Sequence, residues 1–286
     1  SHVMRTCAEL ENLPNDENEN KATYGVNMIA CFSFDNYDAG TKKWHSSVGG
    51  FTGNSSGSGH STGSDAAGSN GARFSIPYVK GTTSSQMNFG NVQTNGGTVC
   101  SMTRYTGSTR KRILDGDDNW LQGHWMNRAG ISHYKNGWIT SSSNQVSPNT
   151  KWVPMCMTRC GGILFQDQTS QSNCRTGSKT SIYINFRSNQ KSHWGVNFLV
   201  TWTRQLSDSE MKRVTKFMAG TGSKQPCSSS RVCICRREHK IKHDAEADCN
   251  ICPRGYYSDA VATATCKDCA VGKYSNEEEN DEEDDQ

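Results

Sequence analysis

Residues 193–220 read HWGVNFLVTWTRQLSDSEMKRVTKFMAG, and this stretch decides the fold class. Trp194, Val196, Phe198, Val200 and Trp202 fall on every second position, with Gly195, Asn197, Leu199, Thr201 and Thr203 between them. Period two is the repeat of a β-strand, whose successive side chains point to opposite faces. So apolar a face has to be buried. The pattern then switches. Ser207-Asp208-Ser209-Glu210 reads as a capping box, in which the Ser207 hydroxyl accepts from the amide three residues on and Glu210 accepts from the amide of Ser207. Leu206 and Met211 flank it as a hydrophobic staple, and Met211, Val214, Phe217 and Met218 follow at helical spacing up to Gly220. One short amphipathic helix should close the domain.

Working outward, Val26, Met28, Ala30, Phe32 and Phe34 alternate with Gly25, Asn27, Ile29, Cys31 and Ser33, a second strand pattern that ends in the turn formers of residues 35–40. Short strand-like runs recur at 73–79, 86–89, 98–105, 112–114, 119–124, 130–134, 152–158, 163–166 and 181–186, each bounded by Gly, Asn, Asp, Ser or Pro. Many short strands with frequent turns predict an all-β fold, an antiparallel jelly-roll sandwich over residues 23–221 with a single C-terminal helix. Residues 1–22 lack periodicity and are expected to be a loose N-terminal segment. Residues 46–71 are dominated by Ser and Gly, with His60 and Asp65 among them, and read as a flexible loop. That loop carries the sequon Asn54-Ser55-Ser56, which makes Asn54 a candidate glycosylation site.

Thirteen cysteines in 286 residues favour an oxidising, extracellular setting, where they act as staples. No apolar run approaches the roughly 18 residues of a membrane span. Seven of the cysteines lie beyond residue 225, which predicts a small disulfide-rich module over 226–275 and then a disordered acidic tail over 276–286. The net charge of +3 conceals eight acidic residues in that tail; without them 31 basic residues face 20 acidic. The run Arg231, Arg236, Arg237, Lys240 and Lys242 either attracts the tail or an anionic glycan, or is a solvated face. Nucleic acid is not an expected partner, because the sequence shows no basic helix and no basic stripe interleaved with aromatics. Two Cys-x-x-Cys pairs, Cys249/Cys252 and Cys266/Cys269, have the spacing of zinc knuckles as well as of disulfide frameworks, and the crowd of neighbouring cysteines favours disulfides.

Three segments together resemble the laminin-G-like branch of the concanavalin A-like sandwiches: residues 29–40 (IACFSFDNYDAG), residues 98–140, and residues 193–214 with Arg204, Leu206, Ser207, Glu210 and Met211. The resemblance spans roughly residues 24–220 and implies binding of glycans or of matrix and cell-surface proteins through rim loops or a sheet face. Residues 249–275, in which CNICPRGYYS precedes CKDCAVGKYS, resemble ephrin-receptor-like cysteine repeats, related in style to tumour-necrosis-factor-receptor modules. That likeness implies pairing of Cys249 with Cys266 and of Cys252 with Cys269.

Glycoside hydrolysis normally needs two carboxylates facing each other across the bond, and no glutamate occurs between Lys21 and Ser209. The chain is therefore expected to be a binding protein and not an enzyme. Asp115, Asp117 and Asp118 form an oxygen-rich turn that suits calcium, although aspartates also stabilise turns unaided; no other cofactor is expected. Trp120, His124, Trp125, His133, Tyr134 and Trp138 make the densest aromatic stretch. Trp120, His124, Trp125 and Trp138 are the candidate ligand-binding residues, each ring serving either as a sugar platform or as core. Two functions remain open: an extracellular module recognising glycan or protein ligands, or a structural, adhesive building block that self-assembles into a surface filament or matrix.

Overall fold

The computed structural model describes residues 5–16, 19–22, 24–164, 169–171, 174–175 and 180–220, together with residues 256–257 and 267–268. The chain divides into two compact units, Ser1–Thr221 and Gly222–Gln286. In the second, Tyr256–Tyr257 and Lys267–Asp268 pair antiparallel. The rest of the expected module, with its cysteine pairs Cys249–Cys266 and Cys252–Cys269, the zinc alternative and the acidic tail, lies outside the described residues.

The first unit holds helix α1 (Cys7–Glu11) and strands β1 (Pro14–Asp16), β2 (Glu19–Ala22), β3 (Met28–Ser33), β4 (Tyr37–Asp38), β5 (Lys43–His45), β6 (Thr52–Gly57), β7 (Ser61–Asp65), β8 (Ile76–Gly81), β9 (Ser85–Gln93) and β10 (Thr98–Tyr105). There follow β11 (Leu114–Gly116), β12 (Leu121–Trp125), β13 (Arg128–Tyr134), β14 (Gly137–Trp138), β15 (Val153–Thr158), β16 (Gly161–Leu164), β17 (Thr169–Gln171), β18 (Thr180–Ile184), β19 (Trp194–Trp202) and helix α2 (Asp208–Ala219). Apart from the β1–β2 hairpin, the strands form two antiparallel sheets. The first runs β17-β16-β15-β10-β19-β8-β7, with β3 also on β19; the second runs β14-β13-β12-β11-β18-β9-β6-β5-β4. The expected antiparallel β-sandwich is the observed architecture.

The central strands of the first sheet, β15, β10 and β19, are buried on both sides. Between the sheets, Ala30, Phe32, Val79, Val99, Trp194, Val196 and Leu199 meet Trp44, Phe89, Leu114, Trp120, Ile182 and Ile184. On the outer side, Cys100, Met102, Cys156, Phe198, Val200 and Trp202 lie under Met211, Val214, Phe217 and Met218 of α2 and Leu10 of α1. The helix begins as the sequence predicts: Ser207 N donates to Glu210 Oε2 at 2.7 Å, Glu210 N donates to Ser207 Oγ at 3.2 Å, and Leu206 and Met211 are both buried. Gly220 ends it at φ +78°, where a Cβ would stand 2.2 Å from the Phe74 ring, so the position is closed to other residues.

The alternation of residues 194–203 is interrupted. Thr103 pairs with Val196 and Met102 with Phe198, which leaves Asn197 as an extra residue in the ladder, a β-bulge. Trp194 and Val196 therefore face the second sheet, whereas Phe198, Val200 and Trp202 face the helices. All nine residues of β19 are buried. Asn197 Nδ2 donates to Pro77 O at 2.7 Å and secures the irregularity.

Three expectations are corrected. Residues 5–13 are not loose: Cys7 is bonded to Cys31, Cys7 and Leu10 are buried, and a Thr6–Glu9 capping box starts α1. Aperiodic polar sequence did not reveal a tether made by one distant covalent bond. Residues 46–71 are not a single loop either, since β6 pairs with β5 and β9, and β7 with β8. Exposed sheet edges supply hydrogen-bond partners that composition does not reveal. Asp65 anchors this segment by accepting from Trp152 Nε1 at 2.9 Å and pairing with Arg104 at 2.8 Å. Asn54 is exposed, but on strand β6 rather than in a loop. Finally, β3 starts at Met28, leaving Val26 in the preceding turn, 57% exposed.

Two further disulfides, Cys100–Cys156 and Cys160–Cys174, join β10 to β15 and brace the segment after β15. Replacing Cys7 and Cys31 together by serine reopens a 24-residue loop and should cost about 3 kcal/mol in the chain-entropy model. Urea denaturation of the double variant beside the native chain reads that loss directly.

Candidate functional site

The outer face of the second sheet is exposed at Asn54, Ser56 and Asn88 of β6 and β9, and half-buried at Trp125, His133 and Trp138 of β12–β14. Residues paired across strands share a face. Trp138 pairs with His133, His133 with Leu121, Leu121 with Asp115, Asp115 with Tyr183 and Tyr183 with Asn88. The neighbouring register runs through Gln122, Leu114 and Ile184, and it points inward: Gln122 Nε2 donates to Ser101 Oγ of the opposite sheet at 2.8 Å.

This alternation divides the four aromatic candidates. Trp120 is buried in the inter-sheet core, and so is His124, whose Nδ1 lies 3.2 Å from Thr103 Oγ1 and whose ring stands edge-on to Tyr105 at 4.5 Å. Neither presents a face to a ligand, and their place among the binding candidates is corrected. Trp125 and Trp138 are half-buried and lie together, ring centroids 5.3 Å apart, with His133 5.1 Å from Trp138. The Arg128 guanidinium sits 5.1 Å over the Trp125 ring, and Trp125 Nε1 donates to Gln190 Oε1 at 3.2 Å. Arg175 Nη2 donates to Trp138 O at 3.3 Å. Burial, with Arg112 and Arg175 nearby, holds the His133 pKa below its usual value. The site is an aromatic cluster with clamped rings and polar groups at its margin.

Sequence reasoning missed Arg128, Gln190, Tyr183 and Phe186. Gln190 lies 65 residues from Trp125, beyond the reach of any local pattern. Phe186 reads as the end of a strand, yet it is 45% exposed and stacks on Tyr183 with centroids 4.3 Å apart and planes 16° from parallel.

The calcium reading is also corrected. Asp115 is only 1% exposed, and its Oδ1 accepts from Arg112 Nη1 at 2.9 Å, Gly116 N at 2.9 Å and Arg187 Nε at 3.2 Å. Two guanidiniums already neutralise it and would repel a cation. Asp117 Oδ2 accepts from Ser181 N at 3.2 Å, and Asp118 lies 3.9 Å from Lys135 Nζ. No group of three or more metal-ligating side chains occurs among the described residues.

No family model and no curated protein matches the chain. Solved structures do. Domain 4 of an extracellular GH43 arabinanase from Geobacillus stearothermophilus, in complex with arabinotriose, is 13% identical over 66% of this chain and 98% of its own, with a TM-score of 0.46. A Trypanosoma rangeli sialidase mutant displaying trans-sialidase activity is 14% identical over 72% of this chain and 35% of its own, at 0.44. The receptor-binding domain of botulinum neurotoxin mosaic serotype C/D is 11% identical over 66% and 50%, at 0.40. The chain thus spans nearly all of the arabinanase domain but about a third of the sialidase. An arabinanase and a sialidase among the matches overturn the expectation that the chain is not an enzyme, and that expectation is withdrawn.

Two buried groups give stability predictions. Removing the carboxylate in Asp115→Ala strands Arg112 in the interior and should cost about 3–5 kcal/mol, read by chemical denaturation. His124 is pushed down to about 3 by burial, whereas in the unfolded chain it ionises near 6.5. Between those values only the unfolded state takes the proton. Its stability contribution is thus complete above about pH 6.5 and declines as pH falls toward about 3, by about 1.4 kcal/mol per pH unit. A pH series of urea titrations should show a flatter slope in His124→Gln than in the native chain.

Proposed function

We propose that the protein is an extracellular carbohydrate-binding module that takes a glycan on the outer face of its second sheet, with Trp125 and Trp138 as the stacking surface. The observation that carries this reading is the distribution of the seven tryptophans. Trp44, Trp120, Trp152, Trp194 and Trp202 are buried, while Trp125 and Trp138 alone are half-exposed, and they are side by side. Sugar rings have an apolar C–H face and a polar rim. An indole face meets the first, and a ring of amide, guanidinium and imidazole groups such as Gln190, Arg128 and His133 meets the second. Clamped rings have little side-chain freedom to lose on binding, which favours affinity.

Three formed disulfides suit an oxidising compartment, and no helix among the described residues is long and apolar enough to cross a membrane. Both features support an extracellular or secreted location. The ligand is best found on a glycan array and then titrated calorimetrically. Trp138→Ala should weaken binding at least about tenfold, or about 1.4 kcal/mol, in a chain whose circular dichroism still reports the native fold. Ligand should also shield the two exposed indoles from iodide quenching. Undiminished affinity in Trp125→Ala and Trp138→Ala would remove this face from the site, and reducing ends released in the same titrations would report turnover.

A further inference from the structure

Three segments distant in sequence, residues 107–112, 125–128 and 186–193, are hydrogen-bonded into one rim beside the aromatic cluster. Arg112 N donates to Gln190 O at 3.1 Å, His193 N to Thr109 O at 3.0 Å and Asn127 N to Arg110 O at 2.8 Å. Lys111 N donates to Ser192 Oγ at 2.6 Å, and Lys111 Nζ to Asn189 O at 2.8 Å. Together the segments carry Arg110, Lys111, Arg112, Arg128, Arg187 and Lys191 and no acidic residue. Arg112 and Arg187 share Asp115; the other four have no carboxylate partner among the described residues. Among the described residues, the rim is a concentration of positive charge that Asp115 alone offsets.

An aromatic platform stands at each side of it. Trp125 belongs to the cluster already described. On the other side, Phe186 is held outward by construction. Asn185 adopts φ +57° and is locked by donating to Thr82 O, Ser85 O and Ser192 O at 2.9–3.0 Å, while Arg187 is fastened to Asp115, Gly116 O and Asp117 O. Phe186 is therefore an exposed ring on a pinned loop. It follows β18, which stands two strand positions from β12, or about 10 Å at the usual strand spacing. Met126, 44% exposed beside Trp125, adds apolar surface at the near end.

We infer that this rim is a binding site for an acidic oligosaccharide, stacked on Trp125 and on Phe186 over Tyr183, with its carboxylate or sulfate groups taken by Arg110, Lys111, Arg128 and Lys191. The inference rests on the glycan-binding reading above and adds to it a second stacking position and the charge of the ligand. Alternating stacking faces and cations match a chain that alternates sugar-ring faces and anions, and a neutral single sugar would leave most of the rim unused.

Calorimetric titration with a sulfated hexasaccharide and with its fully desulfated counterpart tests this in the full chain. The sulfated form should bind at least about tenfold more tightly, and the preference should shrink as NaCl rises from about 0.05 M to about 0.5 M, where screening shortens. Lys111→Ala with Lys191→Ala should weaken the sulfated form and narrow its preference, because only Arg110 and Arg128 then remain to take its anions; an unchanged preference overturns the inference. Phe186→Ala should weaken both forms, and Phe186→Tyr should restore them. Equal binding of the two forms overturns the inference and leaves the glycan-binding reading standing; no binding of either overturns both. A duplex DNA of matched charge that binds as tightly as the sulfated form also overturns it, because the rim would then select charge and not a sugar.

Discussion

Strand β19 must be covered on both faces, and the rest of the unit follows from that requirement. It lies inside the first sheet, hydrogen-bonded to β10 on one side and to β3 and β8 on the other, so it has no free edge. Its Trp194 and Val196 need an apolar lid on one side, and its Phe198, Val200 and Trp202 need one on the other. The second sheet is the first lid and the two helices are the second. The bulge at Asn197 changes which residues meet each core, moving the even-numbered positions from the inter-sheet side to the helix side, because an extra residue in the ladder reverses the face on which the following side chains emerge. Both Cys7–Cys31 and Cys100–Cys156 lie in the helix-side core; the first ties down a five-residue α1 too short to be stable alone, and the second joins β10 to β15 beneath α2.

The candidate site occupies the outer face of the second sheet. Leu121 and Ile131 of that sheet are nevertheless fully buried, and by strand register they share the side that carries His133 and Trp138. An aromatic cluster there serves packing as well as recognition, and its rings are correspondingly fixed. The Arg112–Asp115–Arg187 triad plays a similar double part. Its carboxylate secures the turn after β11, and its second guanidinium anchors the loop that carries Phe186 and Gln190. Recognition by such a face needs no moving part. Likeness to arabinanase, sialidase and toxin domains at 11–14% identity leaves function to the site itself.

Element types were legible where local pattern and burial agree. The capping box at Ser207, the staple of Leu206 with Met211 and the glycine stop at Gly220 are local chemistry, complete within a few residues, and they are found as read. In the folded chain Gln122 points inward and Leu121 outward, and alternation assigns residues to two such faces without naming the inward one. That is why Trp120 and His124 stood beside Trp125 and Trp138 as equals. The strands within residues 46–71 were illegible for a different reason: their hydrogen bonds go to β5, β8 and β9, and no property of Ser and Gly foretells a partner edge.

By itself, then, the sequence determined the repeat of the long apolar strands and the boundaries of α2, because these depend on neighbours within one turn or one pleat, and its cysteine count favoured an oxidised setting. Only the tertiary structure decided which face of each strand was interior, which cysteines met, and that residues 107–112, 125–128 and 186–193 form one basic rim set with aromatics. No basic stripe interleaved with aromatics can be read along the sequence, because the charges and rings of the rim are brought together by hydrogen bonds between segments up to about 80 residues apart. Electrostatic and stacking interactions act through space over a few ångströms, and sequence distance carries no information about that separation.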